Sequence, residues 1–484
     1  MNARARLPIP LLAGSLALLV YGLTLAPSLT WAHWGADGGD FITAAVTGRI
    51  PHPPGFPLYL TLARLFVLLP LRDPAWRLNL LSAVMAAGTV TLTALMLQHQ
   101  EKSSWIVLAA SLTLAFAPLF WSQSLITEVY TTAAFFVALA NSEWRMANGK
   151  WRMANGELSI MDHASRITSS QWVLAGIVCG LGMSVHPTLA LLAPLWAAYM
   201  LSGCKSAISK WQFQTPVYRL SFTVYLIGLC IGLLPYALLP FLGPWPQPWG
   251  DMRTFAGWWD VVRARLYWGY AFGLPLVEWP ARVLAWATLL ARQFTPVGGA
   301  LVLLGGWLQW RTHRREVLGL VIAGSLLSLF AIGYATPDSL TYLLPLLLLF
   351  VPLLGAGLRW LVDNGLPVWA TLTLPLILLV WNWQAVDLHR DDEAVLWYNR
   401  VLAAAPPEAV LLTTQGDAYT FALWYAQEAL GLRKDVLVID GNLWWQESYR
   451  QFLCRQTGRA AVVPEDLALG RPVCRVVKEG VICP

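Results

Sequence analysis

The sequence predicts an all-α polytopic membrane protein of about eleven transmembrane helices with a small C-terminal extracytoplasmic α/β domain. Three observations predict it. Of 484 residues, 57% are hydrophobic and 12% charged, with a mean hydropathy of +0.54, whereas a soluble protein carries about 25% charged residues. Apolar runs long enough to cross a bilayer recur as far as Trp383. After Trp383 the chain turns polar and highly charged. Residues 1–383 therefore read as the membrane domain and 384–484 as the outer one.

With about 17–25 apolar residues as the ruler, the spans are Leu7–Thr30, Leu78–Gln98, Trp105–Phe120, Leu125–Asn141, Trp172–Val185, Thr188–Leu201, Leu220–Phe241, Pro296–Trp310, Val317–Tyr334, Tyr342–Leu358 and Leu366–Trp383. The fifth, sixth and eighth are short, and Ala281–Leu290 either extends the eighth or lies at the interface. The first run follows Arg4 and Arg6. It exceeds the roughly 7–15 residues of a signal core and lacks a clear small-residue cleavage site, so it reads as a retained span with a cytoplasmic start.

That start puts nearly every basic cluster in cytoplasmic loops, from Lys102 through Arg145, Lys150, Arg152 and Arg166, then Lys205, Lys210 and Arg219, to Arg311, Arg314, Arg315 and Arg359. The formal net charge of +6 is thus a topology signal and no mark of nucleic-acid binding. Exceptions are Arg49, Arg64, Arg72 and Arg77 in the first outer loop (residues 31–77), and Arg253, Arg263, Arg265 and Arg282 in the fourth (residues 242–295).

Within the first outer loop, Leu58–Pro70 is apolar yet too short to span, and suits a helix lying in the interface. The loop Ser142–Ser170 holds a tandem repeat, WRMANGK then WRMANGE, which reads as a duplicated flexible linker. In the outer domain, Ala409–Thr414 and Asp435–Asp440 read as strands around a helix at Asp417–Leu430, one βαβ unit. Six cysteines are too few for a disulfide scaffold. Cys179 and Cys230 fall in spans, while Cys454, Cys474 and Cys483 lie where a disulfide is permitted but its pairing is unreadable.

Parity collects the scarce ionisable groups on the outer face: Asp37, Asp40 and His52, then Glu128, His186, Asp251, Arg263, Arg265 and Tyr267, and finally Asp338. Acids near membrane depth cost about 2.5–3.5 kcal/mol each, so they tend to be paired or functional. Asp37 and Asp40 are three apart and share a face if helical. Their repulsion raises one pKa and leaves the other ionised, fit to deprotonate a hydroxyl. The bland alternative is a solvated helix cap. His52 opens a stiff Pro-Pro-Gly turn that seats the next helix, and its ring could donate to a phosphate or sugar oxygen. His186 either caps a helix or binds a ligand. Glu128 is either a site acid or an arginine's partner. Arg263 and Arg265 suit a phosphate bidentately or snorkel to headgroups. The aromatics Trp258, Trp259, Tyr267 and Trp268 form an interfacial belt or a sugar platform.

DGGDFITAA followed by HPPGFPLY resembles the signature D-x-G-E … H-P-P-G-Y-P-L-Y of a family of multi-pass membrane proteins formerly of unknown function and related to protein O-mannosyltransferases. NLLSAV, FAPLFWSQSLITEVYT, GLGMSVHPT, WGDMRTFAGWW, PDSLTYLLP and LLTTQGDAYTFALWYAQEALGLRKDVLVID follow in the family's order. The resemblance implies a GT-C glycosyltransferase fold, a catalytic acid in the first outer loop and a polyprenyl-phosphate sugar donor, with mannose suggested by relatives. On it, Asp37 matches the first acid and Asp40 the second, here Asp where Glu is usual. Gly38 stands where Ser is common, His186 where the motif is often His-His, and Tyr419, two residues after Asp417, where a second acid is usual.

The expected activity is inverting transfer to a protein or glycan hydroxyl on the extracytoplasmic side of a bacterial-type plasma membrane. Asp37 is the base, and His52, Arg263, Arg265, Tyr267, His186 and Glu128 hold the donor. Asp251, Asp338 and Asp417 are acceptor or structural groups. No cofactor is required, although the acids and histidines leave room for a divalent ion. A transporter or flippase of a lipid-linked saccharide would use the same acids and arginines, but no internal two-fold repeat is visible. A non-catalytic scaffold is the third class.

Overall fold

The computed structural model describes residues 8–147, 169–202, 216–243, 245–458, 463–468 and 470–483. Helix Tyr130–Ala147 takes in the start of the expected loop and the first four residues of the tandem repeat; the rest of the repeat and most of the second and third basic loops lie outside the described residues. Among the described residues, five helices are long and apolar enough to cross a membrane: Pro74–Gln98, Phe222–Phe241, Thr295–Gly333, Ser339–Asp363 and Val368–Val386, some with a 3-10 turn or short break included. Five shorter apolar helices, beginning with Pro8–Thr24, pack among them.

Helix ends differ from the expected spans at several places, among them one proline and one polar connector. The third span stops at Ala115, because Pro118 drives Ala117 to an extended ψ of 127°. The fourth starts only at Tyr130, and Leu125–Val129 is a non-helical connector that carries Glu128. The eighth and ninth are one helical run, Thr295–Gly333, broken only at His313. Ala281–Leu290 belongs to a separate helix, Trp279–Gln293.

Two pairs of glycines explain one close helix crossing. Gly176 and Gly180 face Gly228 and Gly232, and a Cβ on Gly228 would lie 2.1 Å from the Val173 carbonyl oxygen. Only glycine lets the two backbones meet so closely.

The C-terminal part carries a four-stranded sheet in the order β2-β1-β3-β4, with β1 Val410–Thr413, β2 Leu437–Asp440, β3 Val473–Val477 and β4 Gly480–Ile482. The strands β1, β2 and β3 are parallel, and β4 runs antiparallel to β3. Of the three cysteines in this part, Cys474 and Cys483 are bonded and Cys454 is free. Helix Asp417–Trp424 leaves the sheet and lies directly on helix Gly38–Thr47 of the first outer loop. Gly39 makes this approach: a Cβ there would stand 2.4 Å from the Phe421 carbonyl oxygen. One buried core runs from the spans into this sheet.

Candidate active site

The segment Ala32–Asp37 is a distorted 3-10 turn in which His33 and Trp34 take positive φ. Helix Gly38–Thr47 follows and carries Asp40 in its first turn. Gly48 ends it in a left-handed conformation, and the chain returns through Ile50 to His52. Twelve residues of separation are thereby closed to contact. Asp40 Oδ2 accepts the His52 backbone N–H at 2.7 Å and faces ring Nδ1 at 2.8 Å. Asp40 Oδ1 accepts the Trp249 indole N–H at 3.3 Å.

Both oxygens of Asp40 are thus engaged, and the residue is 3% exposed. Asp37 differs. Its side chain is 40% exposed, and its nearest ionic partner is His52 Nε2 at 3.6 Å. Some of the carboxylate is open, yet the surrounding protein still withdraws water. Burial, with Asp338, Asp40 and Asp417 adding to it, pushes Asp37 up to about 6 against the pull of His52. For His52, burial opposes protonation, but Asp37 and Asp40 outweigh it and the pKa is raised.

A second layer surrounds this pair. Burial, then Asp37 and Asp338, drives the Glu128 pKa well above the ordinary carboxyl range. His186 caps the turn Pro187–Leu192 by accepting the Thr188 N–H, which favours the capping reading. Its ring packs against Tyr130, Tyr342 and Phe56, and burial lowers its pKa to about 4. Tyr267 stacks near Tyr270 and faces the His52 ring at 6.1 Å. Asp417 starts the helix lying on Gly39, and burial raises its pKa although His52 opposes it.

The structure brings together Asp37, Asp40, His52, Glu128, Asp338, Tyr267 and Asp417, with His186 beside them. The arginines stand apart. Arg263 and Arg265 both pair with Asp260, at 2.5 and 2.8 Å, and Arg263 also lies over the Trp268 ring. Arg265 nevertheless lines a cavity of about 550 Å³ whose wall includes Pro53 and Trp249, neighbours of His52 and Asp40. Asp251 lines the same cavity and holds Arg253 at 2.7 Å. Among the described residues no group of three or more His, Cys, Asp or Glu is arranged to hold a metal.

Sequence reasoning missed two groups and one partnership. Trp249 falls in the WGDM stretch on the same face as Asp251, but its role as the donor to Asp40 is not visible there. Phe421 stacks on the His52 ring at 6.4 Å and 10°. Asp260 stands three and five residues before the two arginines it holds, a spacing visible in the sequence.

Residues 37–210 match the family profile of the protein O-mannosyl-transferase TMEM260 N-terminal domain, and residues 397–469 that of TMEM260-associated domain 2. The protein O-mannosyl-transferase TMEM260 of Mus musculus is 25% identical over 92% of this chain and 65% of its own length. The Dictyostelium discoideum protein O-mannosyl-transferase tmem260 is 24% identical over 49% and 28%. The chain therefore spans just under two thirds of the mouse protein. Among solved structures, ArnT from Cupriavidus metallidurans bound to undecaprenyl phosphate superposes with a TM-score of 0.57 at 14% identity, over 96% of this chain and 92% of that one. The Archaeoglobus fulgidus oligosaccharyltransferase tethered with an acceptor peptide gives 0.54 at 13% identity, over 94% and 68%. Both likenesses are of fold. Residues 37–210 and 397–469 of this integral membrane chain thus match domains of the TMEM260 protein O-mannosyl-transferase family, on a fold shared with ArnT and the oligosaccharyltransferase.

Proposed function

We propose that the chain is a membrane glycosyltransferase that moves a sugar, mannose by its relatives, from a polyprenyl-phosphate donor to a hydroxyl of a protein or glycan acceptor. The reaction takes place on the extracytoplasmic face and inverts the anomeric centre. One observation carries the reading: of the two acids in the first outer loop, Asp40 has both oxygens occupied, while Asp37 keeps a 40% accessible side chain beside an imidazole.

Asp37 takes the proton of the acceptor hydroxyl. The hydroxyl oxygen forms a bond to the anomeric carbon as the bond from that carbon to the phosphate oxygen breaks, and polyprenyl phosphate leaves with the electron pair. Arg265, 61% exposed in its side chain, shares Asp260 with Arg263. Two guanidiniums on one carboxylate leave a net positive charge for the donor phosphate. No metal enters this scheme, and transfer is expected to persist in a chelator.

The test is transfer of radiolabelled mannose from polyprenyl-phosphate mannose by purified protein. Asp37→Asn should lose at least about a hundredfold in rate, within the range for a general base, with unchanged thermal stability. Full activity in that variant would overturn the assignment. Movement of the intact lipid-linked sugar across vesicles without cleavage would instead favour a flippase.

A further inference from the structure

We propose that His52 is a positioning residue: anchored by Asp40, its imidazolium stands beside Asp37 and keeps that carboxylate ionised. This rests on the reading of Asp37 as the base, and it reassigns His52 away from the donor phosphate.

Four observations carry it. First, the ring is fixed. Asp40 Oδ2 takes both the backbone N–H and ring Nδ1 of His52, and Trp249 holds the other Asp40 oxygen. With Nδ1 turned to Asp40, Nε2 is the nitrogen that faces Asp37, at 3.6 Å. Second, the ring has no room to swing toward a lipid headgroup. Phe41 and Phe56 pack on it at 5.1 Å, Trp249 and Tyr267 at 6.0 and 6.1 Å, and Phe421 lies parallel to it. Its side chain is 9% exposed, against 40% for Asp37.

Third, Asp37 is surrounded by groups that oppose its ionisation. Asp338, Asp40 and Asp417 act on it as negative charges; Glu128, Tyr267, Tyr334 and Tyr342 also lie near it, their own pKa values raised chiefly by burial, and supply no positive charge. Fourth, no other cation answers them. Among the described residues, Asp37 forms an ion pair with His52 and with no Lys or Arg. The nearby arginines are committed elsewhere, Arg49 to Glu428 and Arg263 and Arg265 to Asp260. An imidazolium is the cation that this ring of acids would itself stabilise, and the raised pKa of His52 agrees.

The experiment is the pH dependence of kcat for transfer from polyprenyl-phosphate mannose in wild type, His52→Gln and Asp40→Asn. The wild-type rate should rise with pH as Asp37 ionises. In His52→Gln that acidic limb should move up by about one pH unit or more. The rate then falls about tenfold on the acidic side, recovers in alkaline buffer, and leaves the donor KM little changed. Asp40→Asn loosens the anchor but also removes a negative charge that itself raises Asp37, so its limb should move less than that of His52→Gln. An unmoved limb with a uniform loss of rate would overturn the proposal. So would an unmoved limb with a raised donor KM, which would return His52 to the phosphate.

An infrared titration of the Asp37 carboxyl, identified as the band lost in Asp37→Asn, reads the same midpoint without turnover. It should shift upward in His52→Gln. A wild-type protein that transfers nothing would defeat the glycosyltransferase reading, and the infrared midpoint would still decide this one: unchanged, it refutes the role of His52.

Discussion

Gly39→Ala should impair the site through a single methyl group. Gly39 stands between Asp37 and Asp40, and a Cβ built on it would lie 2.4 Å from the Phe421 carbonyl oxygen and 2.6 Å from its carbonyl carbon. Both atoms are backbone, so no side chain can rotate away. Ordinary contact begins at about 3.4 Å, so helix Asp417–Trp424 must retreat by about 1 Å from helix Gly38–Thr47. That helix carries Asp417, and its Phe421 ring lies parallel to the ring of His52. Overpacking of this kind costs about 1–3 kcal/mol of stability, and a displacement of about 1 Å at a reacting centre can cost about a hundredfold in rate. The assay is kcat for transfer, with thermal melting in detergent as the companion measurement. Gly38→Ala is the control, because its Cβ would meet Thr127 at 3.4 Å, an ordinary contact. Wild-type rate in Gly39→Ala, or equal damage from Gly38→Ala, would refute the argument that this backbone approach sets the site.

Gly228→Leu should break the crossing of helices Ser169–Val185 and Pro216–Gly232, since its Cβ alone would stand 2.1 Å from Val173 O. Little monodisperse protein should survive size exclusion in detergent, whereas Gly22→Leu, with nothing within 4 Å, should behave as wild type. Arg49→Ala should lower stability by about 2–3 kcal/mol, below the full 3–5 of a deeply buried pair, because Arg49 and Glu428 retain 17% and 18% side-chain exposure. The exchange Arg49→Glu with Glu428→Arg should recover part of that loss in the same melting experiment. A melting point unchanged by Arg49→Ala would show the pair to be incidental.

How much of this was legible depended on sequence distance. Asp37, Asp40 and His52 lie within one loop, so their meeting follows from a short helix and one turn. Likewise β1, the following helix and β2 announce themselves as apolar runs around a polar break. The later strands did not: β3 is five residues with Arg475 in its middle, and β4 is three. Span ends shifted where an apolar ruler sees no break but proline forces one, as at Pro118. The partnership of Asp40 with Trp249 joins residues 209 apart, and no local pattern encodes it.

The arginines that span parity assigns to the outer side show where charge counting stops. Sidedness singles them out as unexplained, and a phosphate ligand is one explanation. For most of them the protein supplies another. Arg64 donates to the carbonyls of Gly48 and Arg49, and Arg77 to those of Val67, Leu71 and Arg72. Arg253 holds Asp251, and Arg282 holds Thr336 O and Ser339 Oγ. Arg49 spans 379 residues to Glu428 and so ties the first outer loop to the C-terminal part. An irregular loop buried against a membrane domain leaves carbonyls without strand or helix partners, and a guanidinium with five donors satisfies several at once. The violation of the charge rule therefore follows from the loops' irregular backbone before it says anything of a ligand. Arg263 and Arg265 alone among these share a single carboxylate. That stoichiometry, rather than their side of the membrane, distinguishes them as a place for an anion.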